Sequence, residues 1–271
     1  CSANNKKLLA VLIDPDKMKL ESITNFISKV NQSVATHIFV GGSIVNENVT
    51  KDVVVEIKKH TKLPIVLFPG DLNQITNKAD AILYLSLISG RNPDYLIGKH
   101  VDSVQKLSKT NLEIISTGYI LIESGKETAV QVVTNTKPIS QSSIQTITDT
   151  TKAGEYLGMK LIYLEAGSGA VNTINSEIIE KVKASLNIPL IIGGGIKTTD
   201  QIQKLETDDI VSLSTTQIRA ISTEGINALT SDQLIAIETK DINALRSNQA
   251  AALNTESINN LSSDQVLALR T

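Results

Sequence analysis

Four short stretches of the chain carry residue types suited to chemistry on an anion. They are Asp14-Pro15-Asp16-Lys17, Gly41-Gly42-Ser43, Tyr163-Leu164-Glu165-Ala166-Gly167-Ser168-Gly169 and Gly193-Gly194-Gly195. Glycine lets backbone N–H groups approach an anion closely, and a helix N-terminus adds positive dipole. The run Gly193-Gly194-Gly195, followed by a helix opening at Thr198, reads as a phosphate cradle. Asp14 and Ser43 are oxygen donors of the kind that Mg2+ takes together with substrate phosphate. Glu165 is suited to act as a base or to hold a hydroxyl. Taken singly, a glycine triplet also serves as a tight turn and Asp-Pro as a strand terminator. The four stretches together point to a barrel enzyme or binder for a small phosphate with Mg2+, without naming a reaction.

Each stretch ends a short apolar run, which identifies the elements that must position it. The runs are LLAVLID (8–14), HIFVGG (37–42), PIVLFPG (64–70), AILYLSLI (81–88), LEIISTGYILIE (112–123), KLIYLEAG (160–167) and IPLIIGGG (188–195). Near-continuous apolar runs are strands buried on both faces, as in a parallel sheet. Between most of them lie segments with helical apolar spacing, at 19–30, 53–60, 95–107, 146–157 and 176–184. Strand–helix alternation of this density predicts a TIM-like barrel, in which chemistry gathers at the C-terminal strand ends. The link between Gly70 and Ala81 is too short for a full helix.

Composition divides the chain. All three Phe and five Tyr lie at or before Tyr163, all six Pro at or before Pro189, and every Gly but Gly225 at or before Gly195. Residues 198–271 hold five Lys/Arg and ten Asp/Glu, and the remainder 21 and 18, so the two parts carry −5 and +3. Neither part has the basic footprint of nucleic-acid binding, and no apolar run approaches the length of a membrane span. The single cysteine, Cys1, forms no internal disulfide, which fits a reducing, cytoplasmic setting. A chain that begins at Cys1 without an initiator Met reads as processed or as part of something longer; a mature bacterial lipoprotein also begins so, although nothing downstream reads as secreted.

Longer strings carry a resemblance. LIDPDK (12–17), FPGDLNQI (68–75), SLISGRNPDYLIGKH (86–100), TGYILIESGKETAV (117–130), NTKPI (135–139), AGEYLGMKLIYLEAGSGA (153–170) and PLIIGGGI (189–196) follow one another in order. Together they resemble the geranylgeranylglyceryl phosphate synthases and their bacterial relatives, of the bacteroidete-like group, from about Lys7 to about Thr198. The resemblance implies a modified TIM barrel whose third helix is replaced. It implies Mg2+-dependent transfer of a prenyl chain from a polyprenyl diphosphate to the sn-3 hydroxyl of sn-glycerol 1-phosphate, in an enzyme that is usually an oligomer. It implies that Asp14 and Ser43 hold Mg2+ and the diphosphate. Tyr163, Leu164, Glu165, Ala166, Gly167, Ser168 and Gly169 would bind glycerol phosphate, with Glu165 as hydroxyl base beside Tyr163, and Gly194 and Gly195 would cradle the phosphate. Lys99 and His100 are further candidates for diphosphate contacts, with a helix-surface or packing role as the alternative for His100. No membrane span is implied, though a lipid substrate would bring the protein to a membrane surface.

The resemblance breaks after Thr198, where the family continues with a seventh helix, an eighth strand and a second glycine pair for phosphate. Here the nearest stretch is DIVSLST (209–215), with Ser214-Thr215 in the place of that pair. From Thr198 the chain instead divides into nine octads, TTDQIQKL, ETDDIVSL, STTQIRAI, STEGINAL, TSDQLIAI, ETKDINAL, RSNQAAAL, NTESINNL and SSDQVLAL. Position two is always Thr or Ser, position five is apolar, position eight is Leu or Ile, and position four is Gln in five octads. On one continuous helix an octad stripe would drift by about 80° per repeat. One short helix per octad, capped by Ser or Thr at position two, instead turns positions five and eight inward.

The expected fold class is therefore α/β: a modified TIM-like barrel lacking a normal eighth βα unit over 1–197, followed by a short-helix α-solenoid over 198–271 that shares the seventh barrel helix. This reads as an engineered or recombined fusion; the alternative keeps 209–213 as a degenerate eighth strand. Three functions stand open: the prenyltransferase, a structural or interaction protein in which the barrel carries the solenoid, and a phosphate-binding barrel without turnover.

Overall fold

The computed structural model describes residues 8–43, 45–195, 223–227, 234–235, 237, 239–253 and 255–269. The chain divides into two compact units, Cys1–Gly195 and Ile196–Thr271.

The first unit is built on seven parallel strands, β1 (Ala10–Ile13), β2 (His37–Val40), β3 (Ile65–Leu67), β4 (Ala81–Leu87), β5 (Glu113–Leu121), β6 (Leu161–Glu165) and β7 (Leu190–Gly193), hydrogen-bonded in chain order. Each expected run contains one strand. The helices are α1 (Leu20–Asn31), α2 (Val49–Lys58), α3 (Lys99–Leu107), α4 (Ala129–Thr134), α5 (Ile144–Tyr156) and α6 (Ser176–Ser185). Helix α2 starts four residues earlier than its apolar spacing suggests, and a π-helical turn, Asp94–Gly98, leads into α3. The short link between β3 and β4 holds only a 3-10 turn, Leu72–Gln74, whose start is capped by the Asp71 carboxylate. The seventh helix expected at Thr198, the candidate strand at 209–213 and Ser214-Thr215 lie outside the described residues.

Alternation along the strands sorts the apolar residues into two layers. Ile38, Val40, Ile65, Leu67 and Ile82 pack with Ile23 and Ile27 of α1 and Val53, Val54 and Ile57 of α2. The opposite face carries Phe39, Val66, Leu83, Tyr119, Leu121, Leu161 and Tyr163. Both faces being buried is the reason the strands lack polar alternation.

In the second unit the described helices are α7 (Thr223–Asn227), α8 (Thr239–Ile242), α9 (Ser247–Ala251), α10 (Thr255–Asn260) and α11 (Ser263–Ala268). All five begin at octad position two. Ile226, Leu234 and Ile242 at position five, and Ile237, Leu253 and Leu261 at position eight, form a buried cluster with Ala268. Helix α7 packs on α9 and α8 on α11, three octads apart in each case.

The cap differs from the expectation. In α11 the capping residue is position one, Ser262, whose Oγ accepts from Gln265 N at 3.2 Å. Gln265 Oε1 accepts in return from Ser262 N at 3.0 Å, and Gln249 Oε1 from Arg246 N at 2.9 Å. The position-four Gln can close the turn whatever side chain stands at position one, because it bonds the backbone there. Gln265 is buried, and its Nε2 donates to the carbonyls of Leu234, Ile235 and Ile237 at 3.1, 2.9 and 2.8 Å.

Candidate functional site

The C-terminal ends of β6 and β7 build one polar corner. On β6, Tyr163 and Glu165 share a face, while Leu164 between them is fully buried on the other. The Leu164 side chain is therefore directed away from the site. Ala166 is likewise fully buried, and its N–H is used by Gly193 O at 2.9 Å. Beyond them Gly167 and Gly169, and after β7 Gly194 and Gly195, all take positive φ, while Ser168 is exposed. At Gly194, with φ of 85°, a Cβ would lie 2.6 Å from Glu165 Oε1 and 2.5 Å from Gly167 N. Only glycine brings the β7 loop this close to Glu165.

Glu165 is 5% exposed. Burial pushes its carboxyl above the usual carboxylate range, and hydrogen bonds from the Gly167 N–H and the Tyr119 and Tyr163 hydroxyls pull it partly back. The Gly167 bond spans 2.5 Å. Burial and the nearby carboxylate raise both phenols well above their ordinary value, so Tyr119 and Tyr163 stay protonated and keep donating. The arrangement is a dry carboxyl that gains basicity from its surroundings, with two fixed donors.

Beside this corner runs a largely apolar cleft of about 130 Å³, lined by Phe68, Leu83, Tyr84, Tyr95, Tyr119 and Val130, and also by Ser43, Asp71, Lys99 and His100. Phe68 stacks on Tyr163 with centroids 5.2 Å apart and meets Tyr119 edge-on at 5.9 Å. Phe68 and Tyr119 thus join the cleft to Glu165. Lys99 bridges to Asp71 at 2.8 Å and lies 5.1 Å above the Tyr95 ring. His100 packs edge-on against Tyr84, with centroids 4.4 Å apart, and burial lowers its imidazole below the ordinary value. It is a wall of the cleft rather than a helix-surface residue.

Asp14 and Ser43 come from neighbouring strands. The Asp14 carboxylate stands over the β2 turn, with Oδ1 3.0 Å from where a Cβ on Gly42 would lie. It pairs with Lys17 at 2.6 Å and accepts from Asp16 N at 3.2 Å. Ser43 follows that turn. Among the described residues no cluster of three or more His, Cys, Asp and Glu occurs. Mg2+ characteristically takes one or two carboxylates and completes its shell with water and phosphate, so one carboxylate and one hydroxyl suit an ion shared with a substrate.

Sequence reasoning assigned no role to Tyr119 and Phe68. The signal available was their place toward the ends of two recognised apolar runs; the β5–β6 pairing then sets Tyr119 beside Tyr163, and Phe68 reaches Tyr163 by ring stacking.

Comparison with known proteins places this geometry. A family model described as the PcrB family matches residues 3–218, and a second, the ALTTAQ repeat, matches 202–236 and 234–271. The geranylgeranylglyceryl phosphate synthase of Flavobacterium johnsoniae is 54% identical over 201 residues, 74% of this chain and 83% of that protein. The synthase of the same name from Pyrococcus furiosus is 40% identical over 201 residues, covering 74% and 79%. The crystal structure of (S)-3-O-geranylgeranylglyceryl phosphate synthase from Thermoplasma acidophilum, in complex with sn-glycerol-1-phosphate, superimposes with a TM-score of 0.71. It is 30% identical, over 75% of this chain and 82% of that one. The family match runs past Thr198 to residue 218 and overlaps the repeats from 202, so the compositional break does not mark its end. An engineered or recombined joint receives no support from these matches. From the strand order, the glycine loops around Glu165 and the match over most of its length, this chain belongs to the PcrB family.

Proposed function

We propose that the protein transfers a polyprenyl group from its diphosphate to the sn-3 hydroxyl of sn-glycerol 1-phosphate. The observation that carries this reading is Glu165, a buried carboxyl flanked on one side by four left-handed glycines and on the other by an apolar cleft that shares Tyr119 with it. The glycine loops suit a small phosphate and the cleft an isoprenoid chain, and Glu165 stands between.

In this reading Tyr163, Gly167, Ser168, Gly169, Gly194 and Gly195 hold glycerol phosphate. Asp14 and Ser43 would hold Mg2+ with the substrate diphosphate, and the chemistry such an ion supplies is neutralisation of the leaving charge. Glu165 accepts the proton of the attacking hydroxyl as the new C–O bond forms and the bond from the prenyl carbon to diphosphate breaks. Tyr119 and Tyr163 hold the carboxylate in place, and the raised proton affinity of Glu165 favours the transfer. The aromatic lining of Phe68 and Tyr119 excludes water from the reacting carbon.

The test is product formation from radiolabelled sn-glycerol 1-phosphate and geranylgeranyl diphosphate with Mg2+. Product from the wild type that disappears in Glu165→Gln supports the reading. Binding of glycerol phosphate without product would leave a binder, and neither binding nor product would leave a structural protein.

For the octads we infer an α-solenoid built from one short helix per repeat. Support comes from the helices that start at position two, the buried residues at position eight and, at Ile226, Leu234 and Ile242, at position five, and the packing of helices three octads apart.

A further inference from the structure

The glycine loop after β6 has a cation beside it that the sequence reading left unused. Lys126 sits on the loop between β5 and α4, and its Nζ lies 3.1 Å from where a Cβ on Gly169 would be. The two loops are fastened together, since the N–H groups of Val171 and Asn172 both donate to Ser124 O, at 3.2 and 3.0 Å. Lys126 therefore belongs to a clamped segment even though its side chain is exposed.

Its charge is uncommitted. Lys17 is paired with Asp14, and Lys99 with Asp71. Lys126 has no ion-pair partner among the described residues, and the neighbouring Glu123 carboxylate accepts from Ser140 Oγ at 2.7 Å. The glycine loops themselves offer only backbone dipoles and, in Glu165, an acid. A phosphate dianion there gains most from a full positive charge, because charge-assisted hydrogen bonds are roughly twice as strong as neutral ones.

We propose that Lys126 is a phosphate contact for the acceptor, its ammonium reaching over Gly169 to the phosphate of sn-glycerol 1-phosphate. The proposal rests on the function read above. It assigns Lys126 to binding the acceptor and to no step of the transfer.

The experiment uses the full chain as wild type, Lys126→Met and Lys126→Arg, with initial rates measured against each substrate and direct titration with sn-glycerol 1-phosphate. Loss of one charge-assisted contact is expected to raise KM and Kd for glycerol phosphate about 10–100-fold in Lys126→Met. KM for the prenyl diphosphate should stay within about twofold, and Lys126→Arg should recover most of the loss, since both cations donate to phosphate. The thermal midpoint should stay close to that of the wild type, because the Lys126 side chain is exposed. An active wild type whose Lys126→Met variant has unchanged KM and Kd overturns the assignment and leaves the function standing. A parallel rise in both KM values also overturns it. A wild type that binds glycerol phosphate without turnover refutes the transferase reading while the Kd comparison still decides Lys126, and a wild type that does not bind it overturns both.

Discussion

Two glycines with the same backbone conformation separate what crowding contributes to the site from what strain alone costs. Gly158 and Gly194 both have φ of 85°. A Cβ on Gly158, just after α5, would meet nothing within 4 Å, whereas on Gly194 it would lie 2.5 Å from Gly167 N, 2.6 Å from Glu165 Oε1 and 2.9 Å from Gly167 O. Alanine at either position bears the left-handed cost of about 1–2 kcal/mol. At Gly194 the clash is mostly with backbone, so overpacking adds about 1–3 kcal/mol. For a unit of this size each kcal/mol lowers the midpoint by about 2–4 °C, so Gly194→Ala should melt roughly 2–12 °C below Gly158→Ala. Far-UV circular dichroism measures this directly. Initial rates complete the comparison: Gly158→Ala should keep the wild-type KM for glycerol phosphate, and Gly194→Ala should raise it, because the β7 loop must move off Glu165. Equal melting shifts, or an unchanged KM in Gly194→Ala, would refute the claim that close approach at Gly194 shapes the site.

Glu165→Gln should lower turnover by at least about 100-fold, the usual loss for a general base, while the protein remains folded. Because burial raises the folded-state proton affinity of Glu165, its favourable contribution to stability is complete below the unfolded carboxyl value. That contribution is lost as pH rises through the folded value. The urea midpoint of Glu165→Gln should therefore gain on the wild type as pH is raised above the ordinary carboxylate range, and a constant difference would count against a dry carboxyl. Tyr119→Phe removes one donor that pulls the Glu165 value down, so the acid limb of the pH–rate profile should move to higher pH; a limb that stays put or moves lower would contradict the hydrogen bond. Gln265→Ala strands the buried carbonyls that Gln265 serves and should destabilise the repeat unit by about 1–3 kcal/mol, read from its contribution to the helical signal during urea unfolding.

The primary sequence carried the strand set because buried parallel strands need apolar residues on both faces, and each of the seven runs shows it. The placing of the acid at the end of β6 and of the glycines after β6 and β7 was equally legible, since it follows from where the strands end. Octad position eight was legible as well, but position five is buried only at Ile226, Leu234 and Ile242, while Ile258 and Val266 at the same position are 40% and 45% exposed. The direction of the Leu164 side chain was not legible, because a motif read as a string does not show the pleat that turns alternate residues to opposite faces.

Contacts between distant segments were decided only in three dimensions. Tyr119 reaches Glu165 through the lateral pairing of β5 with β6, and nothing near Tyr119 in the chain announces a carboxylate. Lys126 stands over Gly169 because two loops are tied through Ser124 O. Gln at position four was visible as a regularity, but its carboxamide serves carbonyls 28 to 31 residues away. Periodicity and residue type record which groups a chain must bury or expose. The partner of each buried polar group is chosen by strand register and loop closure, and those exist only once the chain has folded.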